Sequence, residues 1–127
     1  MVKKINPNDL TLTISAMLSE YADDVIDDVK EAVDDVAKEA QKIVKSKAPV
    51  KTGKYKRSIK VRTSYESLTE IRKTIYSNGN SGLTHLLENG HAKVNGGRTR
   101  AFPHWKYGDE YIKKELPKRI QKKIGGK

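Results

Sequence analysis

The sequence predicts an α+β fold, on three observations. Apolar residues recur at helical spacing through residues 9–46, residues 58–77 alternate with a period of two, and residues 105–124 return to helical spacing. At 127 residues the chain has room for one domain, 1–127, with one modest core. With 35% hydrophobic and only 6% aromatic residues that core is thin, so burial against neighbouring copies would add stability.

The first element is read as one long amphipathic helix over 9–46, with room for an interruption near its start. Asn6, Asn8 and Asp9 offer capping side chains, and Pro7 suits a first turn. From Ile14 onward, Leu18, Tyr21, Ala22, Val25, Ile26, Val29, Ala32, Val33, Val36, Ala37, Ala40, Ile43 and Val44 fall on one broad stripe at ~100° per residue. Asp23, Asp24, Asp27, Asp28, Glu31, Asp34 and Asp35 fall together on the other side. A strand period would scatter both sets. Lys42, Lys45 and Lys47 suit the negative end of the helix dipole. Pro49 stops the helix, because the residue before a proline leaves helical space. Val50-Lys51-Thr52-Gly53 then turns the chain, with Gly53 able to take a positive φ.

Residues 58–64, "SIKVRTS", and 69–77, "TEIRKTIYS", each alternate apolar with polar residues across a short connection at 65–68, which reads as an antiparallel β-hairpin over 58–77. "SNGNSG" is a loop by composition. "LTHLLENG", 83–90, is a short middle helix closed by Asn89-Gly90. Gly96, Gly97, Arg98 and Arg100 mark 91–104 as an exposed, mobile loop. The C-terminal helix, 105–124, sets Tyr107, Tyr111, Ile112, Leu116, Ile120 and Ile124 towards the core and is expected to kink or break near Pro117.

Several function classes are disfavoured. No window approaches the ~20 apolar residues of a membrane span. The N-terminus lacks a secretory apolar segment, so use inside the cytoplasm is expected. With no Cys there is neither a disulfide framework nor a Cys-based metal site. The strongest metal candidate is His85, Glu88 and His91. His85 and Glu88 share a helical face, but His91 lies past Gly90 and the spacing fits no zinc pattern, so a structural reading is preferred. No nucleophile–base pair and no phosphate loop stands out. The expectation is a protein without enzymatic activity, cofactor or metal.

The net charge of +10 is unevenly spread. Residues 20–40 hold nine acids against Lys30 and Lys38, whereas residues 41–127 hold 22 bases against six acids. Three readings stay open: simple solubility, head-to-tail contact between copies, acid face to basic face, and non-specific contact with nucleic-acid phosphate. For the last, Tyr55, Tyr65, Tyr76, Phe102, Trp105, Tyr107 and Tyr111 offer stacking rings, although no sequence-reading motif accompanies them.

In order, the chain shows Ala48-Pro49, Thr52-Gly53 and Ser58-Ile59, then Leu87-Glu88 and Gly90-His91, then Ala101, Pro103 and a final helix. This ordered set resembles the phage family named for the tenth gene product of a lambdoid phage: small head–tail joining, or tail-completion, proteins of long-tailed bacteriophages. Lys51, Tyr55 and Asn89 depart from that pattern, which more often has Asp, Leu and an aromatic there. The resemblance implies that the long helix packs on a small antiparallel β-sheet. It implies a non-enzymatic virion protein of the neck and tail, assembled in the host cytoplasm, with copies in a ring that is usually six-fold. Its expected partners are itself and a head-side stopper, tail terminator or tail tube, with non-specific contact to packaged DNA and none to membrane. The candidate assembly contacts are Lys93, Arg98 and Arg100 in the 91–100 loop, which would order on joining, and Asp24, Asp27 and Glu31 on the acidic helix face.

Overall fold

The computed structural model describes residues 10–14, 20–48, 53–78, 96–97 and 103–125. In chain order these form strand β1 (Leu10–Ile14), helix α1 (Asp23–Lys47), the single-turn helix α2 (Lys54–Arg57), strands β2 (Ile59–Glu66) and β3 (Ile71–Ser77), and helix α3 (Trp105–Gly125). The fold is α+β, with both long helices against one face of a three-stranded antiparallel sheet. The expected middle helix at 83–90, and residues 91–95 and 98–102 of the expected loop at 91–104, lie outside the described residues. Gly96 and Gly97 are exposed as expected, but His104 is buried against Tyr55, which corrects the loop's C-terminal end.

α1 forms where the apolar stripe is cleanest. Ile26, Val29, Ala32, Val33, Val36, Ala37, Ala40 and Val44 are all buried along it. Asp23 and Asp24 open the helix and Lys45 and Lys47 close it, each sign matching the dipole end it occupies. The helix stops at Ala48, whose extended backbone (φ −72°, ψ 144°) is what the following Pro49 demands.

Residues 10–14 correct the expectation of a helix beginning at residue 9. "LTLTI" alternates with a period of two, and its two β-branched threonines favour extended backbone. Every residue of β1 has a partner in β3, from Leu10 opposite Ile75 to Ile14 opposite Ile71. These partners lie some sixty residues away, so local pattern alone does not reveal them.

β3 is the central strand, in the order β1-β3-β2. The β2–β3 hairpin is regular from Ile59 opposite Ser77 to Thr63 opposite Lys73, then shifts register at Ser64. The hydroxyl of this bulged residue donates to the Arg72 carbonyl (3.1 Å) and meets Thr74 Oγ1 at 2.9 Å. β2 also runs on through Tyr65 and Glu66, which the sequence reading had placed in the connection. Leu12, Ile59, Ile71 and Ile75 point at the helices and are buried, within a core shared with Val33, Val36, Val44, Trp105 and Ile112.

α3 runs unbroken through Pro117, so of the expected kink or break the break does not occur. Pro117 is exposed, and so is Lys113 one turn earlier, whose carbonyl loses its intrahelical donor. Water can serve that carbonyl, so the helix survives. Tyr107 also differs from expectation: it is 38% exposed at the rim, with Lys47 Nζ 5.2 Å from its ring centroid. Beyond the main core, Ile26 and Val29 make a smaller cluster with Ile120 and Ile124 of α3.

Candidate functional site

Two features lie where sequence reasoning looks for function, a joint between helix and sheet and an acidic helix face; a third, an open sheet face, lies where it does not.

The joint follows α1. Ala48 is buried, and its N–H donates to the Lys45 carbonyl at 3.2 Å. Gly53 then takes a left-handed conformation (φ 78°) and starts α2. α2 places Tyr55 inward and ends at Ser58, whose N–H bonds back to the carbonyls of Lys54 and Tyr55. Ser58 Oγ meets Ser77 Oγ at 2.9 Å, and the Asn78 N–H donates to the Ser58 carbonyl at 2.8 Å. Gln41 of α1 donates through Nε2 to the Ile59 carbonyl at 2.8 Å. Helix, turn and hairpin are thereby tied at one point. Of the motif residues, Ala48, Gly53, Ser58 and Ile59 meet here; Pro49 and Thr52 lie outside the described residues.

The joint is locked to α3 by a buried polar cluster. Tyr55 Oη lies 2.6 Å from His104 Nε2 and accepts a hydrogen bond from Trp105 Nε1–H at 3.2 Å. His104 is fully buried and its ring meets Tyr55 edge-on, with centroids 5.4 Å apart. Sequence reading had offered Tyr55 and Trp105 as stacking surfaces. Burial removes both from that role. The Tyr55 hydroxyl instead finds partners from an element some fifty residues away.

A second polar link joins α1 to α3. Glu39 accepts hydrogen bonds from Tyr111 Oη and from both terminal nitrogens of Arg119, the nearer at 2.9 Å. The Tyr111 hydroxyl and the Arg119 guanidinium hold the Glu39 carboxyl below its usual range, against the opposing effect of burial. Burial and the same carboxylate push the Tyr111 phenol up to about 12. Asp34 sits between Lys38 (2.9 Å) and Lys73 (3.0 Å). Burial raises its carboxyl, but the two lysines outweigh it and hold it below the ordinary value.

The acidic face of α1 is divided between contacts within the chain and solvent. Lys30 and Asp34 contact the hairpin, Glu39 contacts α3, and Asp24, Asp27 and Glu31 are exposed on the remaining side. Among the described residues, Asp27 and Glu31 have no ion-pair partner. Lys93, Arg98 and Arg100, expected opposite these acids, lie outside the described residues, as do His85, Leu87, Glu88, Gly90 and His91.

The sheet face turned away from the helices was not anticipated as a site. Thr11, Thr13, Lys60, Arg62 and Tyr65 are exposed on it, beside half-buried Arg72 and Tyr76. Arg62 lies over the Tyr76 ring, with Cζ 4.7 Å from the centroid, and Arg72 lies 5.9 Å from that of Tyr65. The signal was present in the hairpin's polar phase, Lys60, Arg62, Arg72 and Tyr76, once the buried phase is assigned. No group of three or more His, Asp or Glu able to hold a metal occurs among the described residues. No helix among them is long and apolar enough to cross a membrane.

A protein-family model described as "Bacteriophage HK97-gp10, putative tail-component" (HK97-gp10-like) matches residues 13–90, more than half of the chain. No curated protein and no solved structure matches it.

Proposed function

Because the chain belongs to the HK97-gp10-like family of bacteriophage tail components, we propose that it is a structural protein of the phage neck, forming a ring that completes the tail and joins it to the DNA-filled head. The family match over residues 13–90 carries this reading. The fold agrees with a structural role. The motif residues Ala48, Gly53, Ser58 and Ile59 tie helix to sheet, and the Ser58 hydroxyl is used there in hydrogen bonds to the Tyr55 carbonyl and Ser77.

In this reading a ring of six copies forms by heterologous contact, in which each subunit offers an acidic surface to one neighbour and a basic surface to the other. Asp24, Asp27 and Glu31 are the acidic contacts. Lys93, Arg98 and Arg100 are further basic contacts, to the neighbouring copy or to the adjoining neck protein, a head-side stopper, tail terminator or tail tube. The protein works in the virion without catalysis and without a cofactor.

A gene knock-out examined by negative-stain microscopy tests this. Filled heads and separate tails are expected to accumulate, and a plasmid copy of the gene should restore joined particles. Normal joined particles in the knock-out would exclude the role. A second reading, non-specific contact with packaged DNA, is favoured by the exposed lysines of α3, namely Lys106, Lys113, Lys114, Lys118 and Lys122. It requires duplex binding that falls steeply between low and physiological salt, and no retention at low salt excludes it.

A further inference from the structure

We infer that the open face of the sheet, Lys60, Arg62 and Arg72 with Tyr65 and Tyr76, is the docking surface for the acidic side of α1 in a second copy of this chain. The inference rests on the heterologous contact proposed above and assigns its basic half to the sheet.

Four observations carry it. The first is position. α1 lies on one side of the sheet, with Asp34 bonded to Lys73 and Gln41 to Ile59 on the inner face, so the basic residues occupy the reverse side. A body with acids on one side and bases on the other cannot bring the two together within one copy, but can do so between copies.

The second is charge left over. Asp34 and Glu39 are satisfied within the subunit, whereas Asp27 and Glu31 have no ion-pair partner among the described residues and are exposed. On the sheet, Lys60 likewise has no ion-pair partner among the described residues, and Arg62 is engaged by an aromatic ring.

Spacing is the third. Residues four apart on a helix rise ~6 Å, and residues two apart on a strand span ~6.7 Å. The pair Asp27 and Glu31 can therefore face the pair Lys60 and Arg62 one to one. On the next strand, ~4.8 Å across, Arg72 is already paired with Glu70 at 3.3 Å, so it borders the contact while Lys60 and Arg62 carry it.

The fourth is side-chain type. A guanidinium resting on a tyrosine ring is held in place before binding and meets a carboxylate in bidentate fashion at smaller entropic cost than a mobile lysine. Tyr65, 48% exposed, adds apolar surface beside the charges. Arginine, tyrosine and apolar surface together resemble the centre of a protein interface more than a phosphate track, for which the lysine row of α3 is the better candidate.

The test uses the full chain and two charge-reversal variants at exposed positions, K60E/R62E and D27K/E31K, with circular dichroism to show that both fold. Sedimentation velocity over a concentration series at low salt should show self-association of the wild type that weakens at high salt. Each variant alone should associate at least about tenfold more weakly, from like charges now facing one another. An equimolar mixture should regain association, because the reversed faces complement each other. A wild type that stays monomeric throughout overturns the inference, as does a mixture that fails to recover. If D27K/E31K loses association while K60E/R62E keeps it, the contact between copies stands and the sheet is not its basic half. If K60E/R62E loses only its retention of a duplex oligonucleotide, the face binds phosphate and the inference fails.

Discussion

Gly108 of α3 meets Val44 of α1 with no space for a side chain: a Cβ at Gly108 would lie 2.5 Å from Val44 Cγ2, 3.0 Å from Leu10 Cδ1 and 3.6 Å from the Ala40 carbonyl oxygen. The glycine lets the two helices close over β1. Gly108→Ala would gain about 1 kcal/mol in helix propensity, but Val44 is buried and β-branched, so its methyl cannot turn aside cheaply. Overpacking of this kind costs about 1–3 kcal/mol. The substitution should therefore lower the melting temperature despite the better helix former. Adding Val44→Ala should recover part of the loss, which a thermal-melt double-mutant cycle would measure.

Tyr55→Phe should destabilise the chain by about 1–3 kcal/mol, because it removes the hydroxyl bonded to buried His104 and Trp105. The ring's apolar packing survives, so the cost belongs to the polar contact. Trp105 is the only tryptophan, so its emission reports the cluster directly. The variant should shift that emission in the folded state and lower the urea midpoint. An unchanged midpoint would mean that the cluster is not needed to hold α3.

Gly53→Val should cost more than Gly53→Ala. The nearest atom to a Cβ there is Arg57 Nη1 at 2.8 Å, the far end of a flexible exposed side chain, so the clash is relieved easily. What remains is the backbone. At φ 78° an L residue pays about 1–2 kcal/mol and a β-branched one more, whereas Asn tolerates the region. The expected order of urea midpoints is Gly, Asn, Ala, Val. Particle joining should fall in the same order if the joint sets the angle between helix and sheet.

The parts of the fold legible in the sequence are those set by local period. α1 is visible because ten apolar positions from Val25 to Val44 and seven acids separate cleanly at one spacing. The hairpin is visible because Ile59, Val61, Ile71 and Ile75 share a phase that pairing later joins. β1 was hidden because five residues of alternation were absorbed into the helix that follows, and only a strand sixty residues away fixes their conformation. Tyr55 was misjudged for the same reason: its hydroxyl looks suited to solvent until His104 and Trp105 arrive from another element. The acids of α1 were readable as a face, but their division into satisfied and unsatisfied members was not. Asp34 and Glu39 are claimed by Lys73 and Arg119, which only the tertiary fold brings near.

The Glu39–Tyr111–Arg119 link predicts two opposite pH slopes. Glu39 is held below its ordinary value of 4.5 in the folded chain, so its contribution is present above that pH and is lost as pH falls through the lower folded value. Tyr111 is raised from 10.0 to about 12, so its contribution is present below pH 10 and is lost as pH rises towards 12. Urea midpoints should be level near neutrality and fall at both ends. Glu39→Gln should lower the neutral midpoint and flatten the acid limb. With the Glu39 side chain 38% exposed, the neutral loss should stay within ~1 kcal/mol. Tyr111→Phe should flatten the alkaline limb. A Glu39→Gln acid limb as steep as the wild type's would assign acid sensitivity to other carboxylates.

Glu31→Gln separates what the acidic face does for the subunit from what it does for the particle. Glu31 stands four residues from both Asp27 and Asp35, and like charges at that spacing oppose a helix. Removing the charge should therefore stabilise the isolated chain, by about 0.2–0.5 kcal/mol for each repulsive pair relieved. A face maintained only for solubility would let joining proceed as before, since one fewer acid leaves the chain well charged. A face that meets a basic neighbour would lose an attractive contact, and joined particles should become fewer and more salt-sensitive while the subunit itself melts higher. Thermal melts of the purified chain and particle counts from a complemented knock-out measure the two effects separately. Higher stability with undiminished joining would remove Glu31 from the assembly contact.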